Sequence, residues 1–249
     1  MSAKVILVTG ASRGIGFSIA QALIAANHKV VVTARSAGEL AKLKQTAPDR
    51  VAYLVGDMAD FSLASRLVDL AVATFGGLDG VVVNHGLLAP VKKLADAPLE
   101  EWKSLYDINV FSGVALAKFA IPALRTSKGM MLWISSGAAT NNYISWGAYG
   151  SSKAAVNSLS AHLAAEEPDI TSFALAPGVV ATDMQAQIRA SDQMDAKQLA
   201  RFVDLHETDK LLKPEWVGSV VANIVTKQDK ELNGKVLRIT DPTLASYAP

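Results

Sequence analysis

Val5-Ile6-Leu7-Val8-Thr9-Gly10-Ala11-Ser12-Arg13-Gly14-Ile15-Gly16 joins an apolar run, a glycine-rich turn and the start of an amphipathic segment. The run Val5–Thr9 reads as a buried strand, and Ile15, Ile19 and Leu23 recur at helical spacing behind it. Glycines at a strand-to-helix junction allow a tight turn and a close backbone approach to a pyrophosphate. The free N–H groups of the helix N-terminus stabilise that anion. The spacing is G-x-x-x-G-x-G, which departs from the general dinucleotide fingerprint G-x-G-x-x-G. Gly10, Ser12, Arg13, Gly14, Ile15 and Gly16 are therefore candidate cofactor-binding residues. A tight turn with no ligand is the bland alternative.

Two arginines sharpen this reading. Arg13 places a cation at a helix N-terminus, where it opposes the macrodipole by roughly 0.3–1 kcal/mol unless an anion docks there. Arg35 follows the second apolar run, where dinucleotide folds recognise the adenosine ribose. Residues 33–36 read Thr-Ala-Arg-Ser, with no carboxylate to take a 2′-hydroxyl and an Arg to accept a 2′-phosphate. This favours NADPH over NADH. The competing reading makes both arginines ordinary solvated residues.

Working outward, the same alternation continues. Val5–Thr9, Val30–Thr33, Val51–Val55, Gly80–Asn84, Met130–Ile134, Thr171–Leu175 and Val236–Ile239 read as strands apolar on both faces. Amphipathic segments separate them, marked by Leu63, Leu67, Leu70 and Ala71, and by Val217, Val220, Val221 and Ile224 behind Pro214. Alternating strand and helix implies an α/β fold: a single Rossmann-type doubly wound domain over residues 1–249, with a seven-stranded parallel sheet and helices on both faces. Residues 181–213 interrupt the rhythm and mix Met184, Ile188, Met194, Leu199 and Phe202 with charges. Such an insertion is expected to be a substrate lid, or else a pair of surface helices used in packing or dimerisation.

Composition narrows the function classes. The chain has 249 residues, half of them hydrophobic, enough for one large core. A net charge of +1 with scattered Lys and Arg gives no basic face for nucleic acid. The absence of cysteine removes disulfides, thiolate metal sites and a Cys nucleophile, and no metal site is expected. No charged leader precedes Val5, and the apolar stretch Val110–Leu124, interrupted by Lys118 and Pro122, falls short of a membrane span. A cytoplasmic protein with no membrane partner is the expectation.

The chemistry is concentrated in Tyr149-Gly150-Ser151-Ser152-Lys153, with Ser136 upstream. A Tyr and a Lys four apart on a helix share one face. That pairing can make a phenol, ordinarily titrating near pH ~10, into a positioned proton donor, which is half of a carbonyl reduction. Taken alone, the pair would be a common surface pattern.

These motifs together resemble the short-chain dehydrogenase/reductase family over essentially the whole chain. The match consists of TGASRGIG, Asp57 after the third strand, Asn84 and Gly86 after the fourth, Asn109 in a long central helix, Ser136, Tyr149 with Lys153, and Pro177-Gly178 after the sixth. Within the family the chain looks most like fungal benzil reductases and sepiapterin-reductase-like carbonyl reductases. Ser135-Ser136-Gly137-Ala138, Trp146-Gly147-Ala148-Tyr149-Gly150, Ala165-Glu166-Glu167-Pro168, Ala176-Pro177-Gly178-Val179-Val180 and the closing Leu232-Asn233-Gly234-Lys235 suggest this.

The resemblance implies roles. Tyr149 would be the general acid. Lys153 would lower the phenol pKa and bind the nicotinamide ribose, Ser136 would hold the substrate oxygen, and Asn109 would hold a water linking Lys153 to solvent. Asp57 would contact the adenine ring, Asn84 would steady the central strands near the cofactor, and Pro177, Gly178 and Thr182 would place the nicotinamide, Thr182 by bonding its carboxamide; Met58, Gly86 and Val180 are further cofactor-binding candidates. One departure stands out. The family usually has Ala where this chain has His85, which is expected to lean on the adenosine half or point to solvent, without a catalytic role.

Leu87, Leu88, Tyr143, Trp146, Val179 and Met184 could line an apolar, aromatic pocket with few fixed charges, and Asp241 is a further candidate by analogy with pterin-reducing relatives. That favours a bulky hydrophobic ketone or aromatic α-diketone of the benzil type. The alternatives are an NAD-dependent secondary-alcohol dehydrogenase, which the arginines disfavour, and a catalytically silent NADPH-binding sensor. By resemblance, a homodimer or homotetramer would assemble through the long helices at Glu100–Leu124 and Ala148–Glu166.

Overall fold

The computed structural model describes residues 2–249. Seven strands form one parallel sheet: β1 (Val5–Thr9), β2 (Lys29–Ala34), β3 (Val51–Val55), β4 (Gly80–Val83), β5 (Met130–Ile134), β6 (Thr171–Ala176) and β7 (Val236–Arg238). Their order is β3-β2-β1-β4-β5-β6-β7. The direction of winding reverses between β1 and β4, and ligands of open α/β sheets bind at such a switch point. β1, β5 and β6 are buried along their whole length, whereas the edge strands expose Val55 and Val236, so only the central strands are apolar on both faces.

Helices α1 (Gly14–Ala25), α2 (Gly38–Thr46) and α9 (Pro214–Lys227) cover one face. Ile19 and Leu23 of α1 meet Val217, Val220, Val221 and Ile224 of α9, all fully or almost fully buried. The opposite face carries α3 (Ser62–Phe75), α5 (Ser112–Ser127) and α6 (Gly147–Glu166), with Leu63, Leu67, Leu116, Leu124, Trp133 and Val156 in its core.

The central helix differs from the expected continuous Glu100–Leu124. It comprises α4 (Leu99–Tyr106), a π-turn at Asp107–Phe111 and α5. The Ser112 N–H donates to the Asp107 carbonyl, the five-residue reach that defines the wider turn. Neither Lys118 nor Pro122 interrupts it, and α5 runs on to Ser127. The resulting run Leu99–Ser127 is 29 residues long and contains an 18-residue window with a mean hydropathy of 1.3, enough by length and composition to cross a membrane. That corrects the expectation that this stretch falls short. Its apolar side chains Leu116, Ala120 and Leu124 pack into the core under the sheet.

Residues 181–213 hold α7 (Asp183–Arg189) and α8 (Ala196–Glu207). The excursion is closed at its base, where the Ala181 N–H donates to the Leu212 carbonyl and the Leu212 N–H to the Val179 carbonyl, both at 2.9 Å. Ile188, Met194 and Phe202 from this segment join Leu88, Leu105, Trp146 and Tyr149 in a third apolar cluster at the mouth of the sheet.

Candidate active site

A cleft of about 940 Å³ opens over the C-terminal ends of the strands. Its cofactor end is the β1-to-α1 turn, where Gly10 and Gly14 adopt left-handed φ angles of +66° and +53°. Arg13 occupies the helix N-cap without a side-chain cap, which leaves the first N–H groups of α1 facing the cleft. Gly16 has a different role. It does not line the cleft, and a Cβ there would collide with the Asn84 amide and the Gly10 carbonyl. The Asn84 Nδ2 donates to the carbonyls of Thr9 (2.9 Å) and Gly10 (3.2 Å), so it ties the turn to β4.

Ser12, Arg13, Ile15, Arg35, Asp57, Met58, Asn84, Gly86, Pro177, Gly178, Val180 and Thr182 all line this cleft. The Asp57 carboxylate accepts from the Ala59 N–H at 3.0 Å. Thr182 bonds the Val180 carbonyl at 3.4 Å. Arg13 forms a 2.7 Å ion pair with Asp183 at the start of α7. An exposed pair of this kind contributes about 0–1 kcal/mol and is easily exchanged for a phosphate. Arg35 has no carboxylate partner among the described residues. The cleft fits a dinucleotide on a further ground: the Thr33 hydroxyl, at the end of β2, is buried without a hydrogen-bond partner among the described residues.

At the other end, α6 brings Tyr149 and Lys153 to one face as their spacing dictates, both buried at 6% and 5% exposure. Lys153 Nζ donates to the Ile134 carbonyl at 2.8 Å and lies 5.9 Å from the centre of the Tyr149 ring. Burial pulls the ammonium down to a pKa of about 8. With one protein acceptor among the described residues for its three N–H groups, it can donate to further hydroxyls in the cleft. Ser136 follows β5, and its hydroxyl accepts from the Ala138 N–H at 3.1 Å.

The phenol departs from expectation. Burial raises the Tyr149 pKa, and a hydrogen bond with Ser136, not the Lys153 charge, draws it back. The ammonium is turned toward the Ile134 carbonyl, so in the free protein Tyr149 holds its proton through neutrality.

Asn109 sits in the π-turn, behind the cleft wall. Its Oδ1 accepts from the Leu87 N–H (2.7 Å), and its Nδ2 donates to the Leu87 carbonyl (2.8 Å) and to Ser152 Oγ (3.1 Å). Both amide hydrogens and one lone pair of Oδ1 are thereby engaged within the protein.

His85 also corrects the expectation. The residue is half-buried on the cleft wall, and both ring nitrogens turn inward to protein partners instead of pointing to solvent. Nδ1 lies 2.7 Å from Thr9 Oγ1, and Nε2 lies 2.6 Å from Ser112 Oγ and 3.0 Å from the Ile108 carbonyl. Burial, with Lys153 adding repulsion, lowers its pKa to about 4, so the ring is neutral at physiological pH.

The substrate end is walled by aromatic rings. Trp146 meets Tyr149 edge-on, with centres 5.7 Å apart at 89°. Tyr143 lies 4.7 Å from Trp146, and Phe202 of α8 packs on both at 5.6–5.7 Å. Leu87, Leu88, Val179, Met184, Ile188 and Leu205 complete the apolar lining. Asp241 lies off the cleft wall, where it accepts from the Thr243 N–H at 2.9 Å as the N-cap of a short 3₁₀ turn. Sequence reasoning missed Thr33, Leu205 and Arg201, which reaches Tyr143 Oη at 3.5 Å. No periodic signal in residues 181–213 marks which side chains face the cleft.

The short-chain dehydrogenase family model matches residues 4–193. The chain belongs to the short-chain dehydrogenase/reductase family. It is thus an oxidoreductase of a family that works with a nicotinamide cofactor. The crystal structure of the Saccharomyces cerevisiae short-chain dehydrogenase/reductase YIR035C superposes with a TM-score of 0.96, at 42% identity, over 99% of this chain and all of that one. A second yeast structure, titled a cytoplasmic protein with unknown function, gives a TM-score of 0.84 at 41% identity over 99% and 100% of the two chains. The Saccharomyces cerevisiae benzil reductase ((S)-benzoin forming) IRC24 is 38% identical over 97% of each chain.

Proposed function

We propose that this protein is an NADPH-dependent carbonyl reductase acting on a bulky hydrophobic or aromatic ketone or α-diketone of the benzil type. The observation that carries the reading is the aromatic wall of Tyr143, Trp146 and Phe202 standing against the Tyr149 phenol. A flat aromatic group packs against such a wall while its carbonyl oxygen meets the acid. A nicotinamide cofactor held in the cleft would supply the hydride for the carbonyl carbon. Tyr149, kept protonated by burial, delivers the proton, and Ser136 donates to the same oxygen as negative charge develops on it. Lys153, 5.9 Å from the centre of the Tyr149 ring, would hold the ribose hydroxyls of the cofactor.

Arg35, free of any carboxylate partner among the described residues, supports NADPH over NADH. The likeness to a benzil reductase supports the substrate class. A cytoplasmic location follows the description of the second yeast relative. The outer face of the central helix exposes Phe111, Val114 and Phe119, which suits assembly into a dimer or tetramer.

The test is NADPH oxidation by purified protein with benzil, sepiapterin and simple aryl ketones. Turnover of benzil or an aryl ketone with NADPH supports the reading. Activity only on acyl thioesters, or only in the oxidative direction with NAD, overturns it.

A further inference from the structure

We infer that His85 is a positioning residue that holds the Asp107–Phe111 π-turn in register with Lys153 and so sets the geometry of the Tyr149–Lys153 pair. The inference deepens the reductase reading and rests on it. Three consecutive residues after β4 touch the turn or the ammonium. His85 Nε2 meets the Ile108 carbonyl and Ser112 Oγ, at the two ends of the π-turn. A Cβ on Gly86 would stand 3.3 Å from Asn109 Oδ1 and 3.4 Å from Lys153 Nζ, so the backbone there runs along the ammonium. The Leu87 N–H and carbonyl clamp the Asn109 carboxamide. Of the three, only residue 85 acts through a side chain that reaches from the end of β1 to the start of α5.

The distances assign the protons. Ser112 Oγ lies 2.6 Å from the Ile108 carbonyl, to which its single hydrogen must go, so it accepts from His85 Nε2–H. Thr9 Oγ1 lies 2.7 Å from Nδ1 but 3.3 Å from the Val82 carbonyl, so its hydrogen goes to the ring. The result is one directed chain, Thr9 to His85 to Ser112 to the Ile108 carbonyl, with the imidazole neutral and protonated on Nε2. A π-turn is an expanded, uncommon conformation. The side-chain bonds from Ser112 and His85 supply the Ile108 carbonyl with donors that the regular ladder would otherwise provide. An alanine at 85 can form neither link.

The chain distinguishes two conservative replacements. Asn presents a polar atom at the Nδ1 position and keeps the Thr9 contact alone, whereas Gln presents an amide N–H at the Nε2 position and keeps the π-turn contact. With NADPH and benzil, His85→Ala and His85→Asn are expected to lower kcat by between about ten- and a hundredfold, the scale of a small misplacement of catalytic groups, with KM for NADPH changing far less. His85→Gln should restore most of kcat. Should the position-85 variants not fold, Ser112→Ala removes the shorter of the two links to the π-turn from the other side, keeps the Ile108 contact, and should lower kcat in the same direction but less.

A long-range proton–nitrogen NMR correlation on wild-type protein, which needs no substrate, should report the Nε2–H tautomer of His85. An Nδ1–H tautomer, equal rescue by Asn and Gln, or losses confined to KM would each overturn the inference. Wild-type protein inactive on benzil would instead overturn the substrate reading, and the tautomer would still decide the geometry around His85.

Discussion

Replacing Lys153 with Met should change the stability of the free protein in a pH-dependent way whose size follows from its burial. The ammonium, ordinarily titrating at 10.5, is drawn to about 8 by desolvation. Because the folded state binds this proton more weakly than the unfolded chain, folding at pH 7 carries a penalty of roughly 3 kcal/mol at about 1.4 kcal/mol per pH unit. The sign follows from linkage. Stability is lowest below the folded value and rises as pH climbs from about 8 toward 10.5, where the unfolded chain still holds the proton and the folded protein has released it.

Tyr149 acts in the opposite sense, since a raised phenol pKa contributes stability that is lost only above pH 10, so the measurement stops at pH 9.5. Between pH 7 and 9.5 the Lys153 penalty falls by about 2 kcal/mol, or roughly 4–8 °C in Tm for a chain of this size. Met removes the charge while keeping most of the volume, and the Ile134 carbonyl it leaves unpaired adds an offset that does not vary with pH.

The assay is thermal unfolding by circular dichroism without cofactor, on both proteins in a series of buffers. The difference, wild type minus Lys153→Met, should rise in favour of wild type by that amount across the interval. The same titration should place the alkaline limb of the free enzyme's kcat/KM near pH 8. A difference in Tm that stays flat with pH would refute the reasoning, because it would mean that the ammonium is hydrated in the folded protein.

Three further outcomes are expected. Tyr149→Phe should bind NADPH nearly as wild type does and lose about a hundred- to ten-thousandfold in kcat; turnover at the wild-type rate would remove Tyr149 from the mechanism. Arg35→Asp should lower the ratio of kcat/KM for NADPH over NADH by at least about tenfold, as the loss of one charged hydrogen bond implies, and an unmoved ratio would make Arg35 a bystander. Gly16→Ala drives a methyl into the Asn84 amide and the Gly10 carbonyl. It should cost about 1–3 kcal/mol and weaken NADPH binding, which thermal unfolding and a fluorescence titration would detect. Wild-type values in both would show that the turn has slack.

Much of the cleft is legible in the sequence because its parts are local. The strand, the glycine turn and helix α1 are contiguous, and the Tyr149–Lys153 relation is fixed by helical spacing alone. The three-dimensional partners of those parts are another matter. Arg13 reads as a free cation, yet it pairs with Asp183 across 170 positions. Phe202 reads as one apolar residue of a lid and becomes the third ring of a wall with Tyr143 and Trp146. The π-turn is invisible because its bonds come from Leu87 and His85, more than twenty positions away.

The sequence by itself determined the succession of strands and helices along the chain, the place of the glycine turn and the residue types available for proton transfer. Each of these rests on periodicity or on neighbours a few positions apart. The tertiary structure alone decided that Lys153 is desolvated, that burial outweighs the Ser136 hydrogen bond in raising the Tyr149 pKa, and that the ring nitrogens of His85 face inward. Those properties depend on how much water and which distant groups surround a side chain, and only the packed fold sets them.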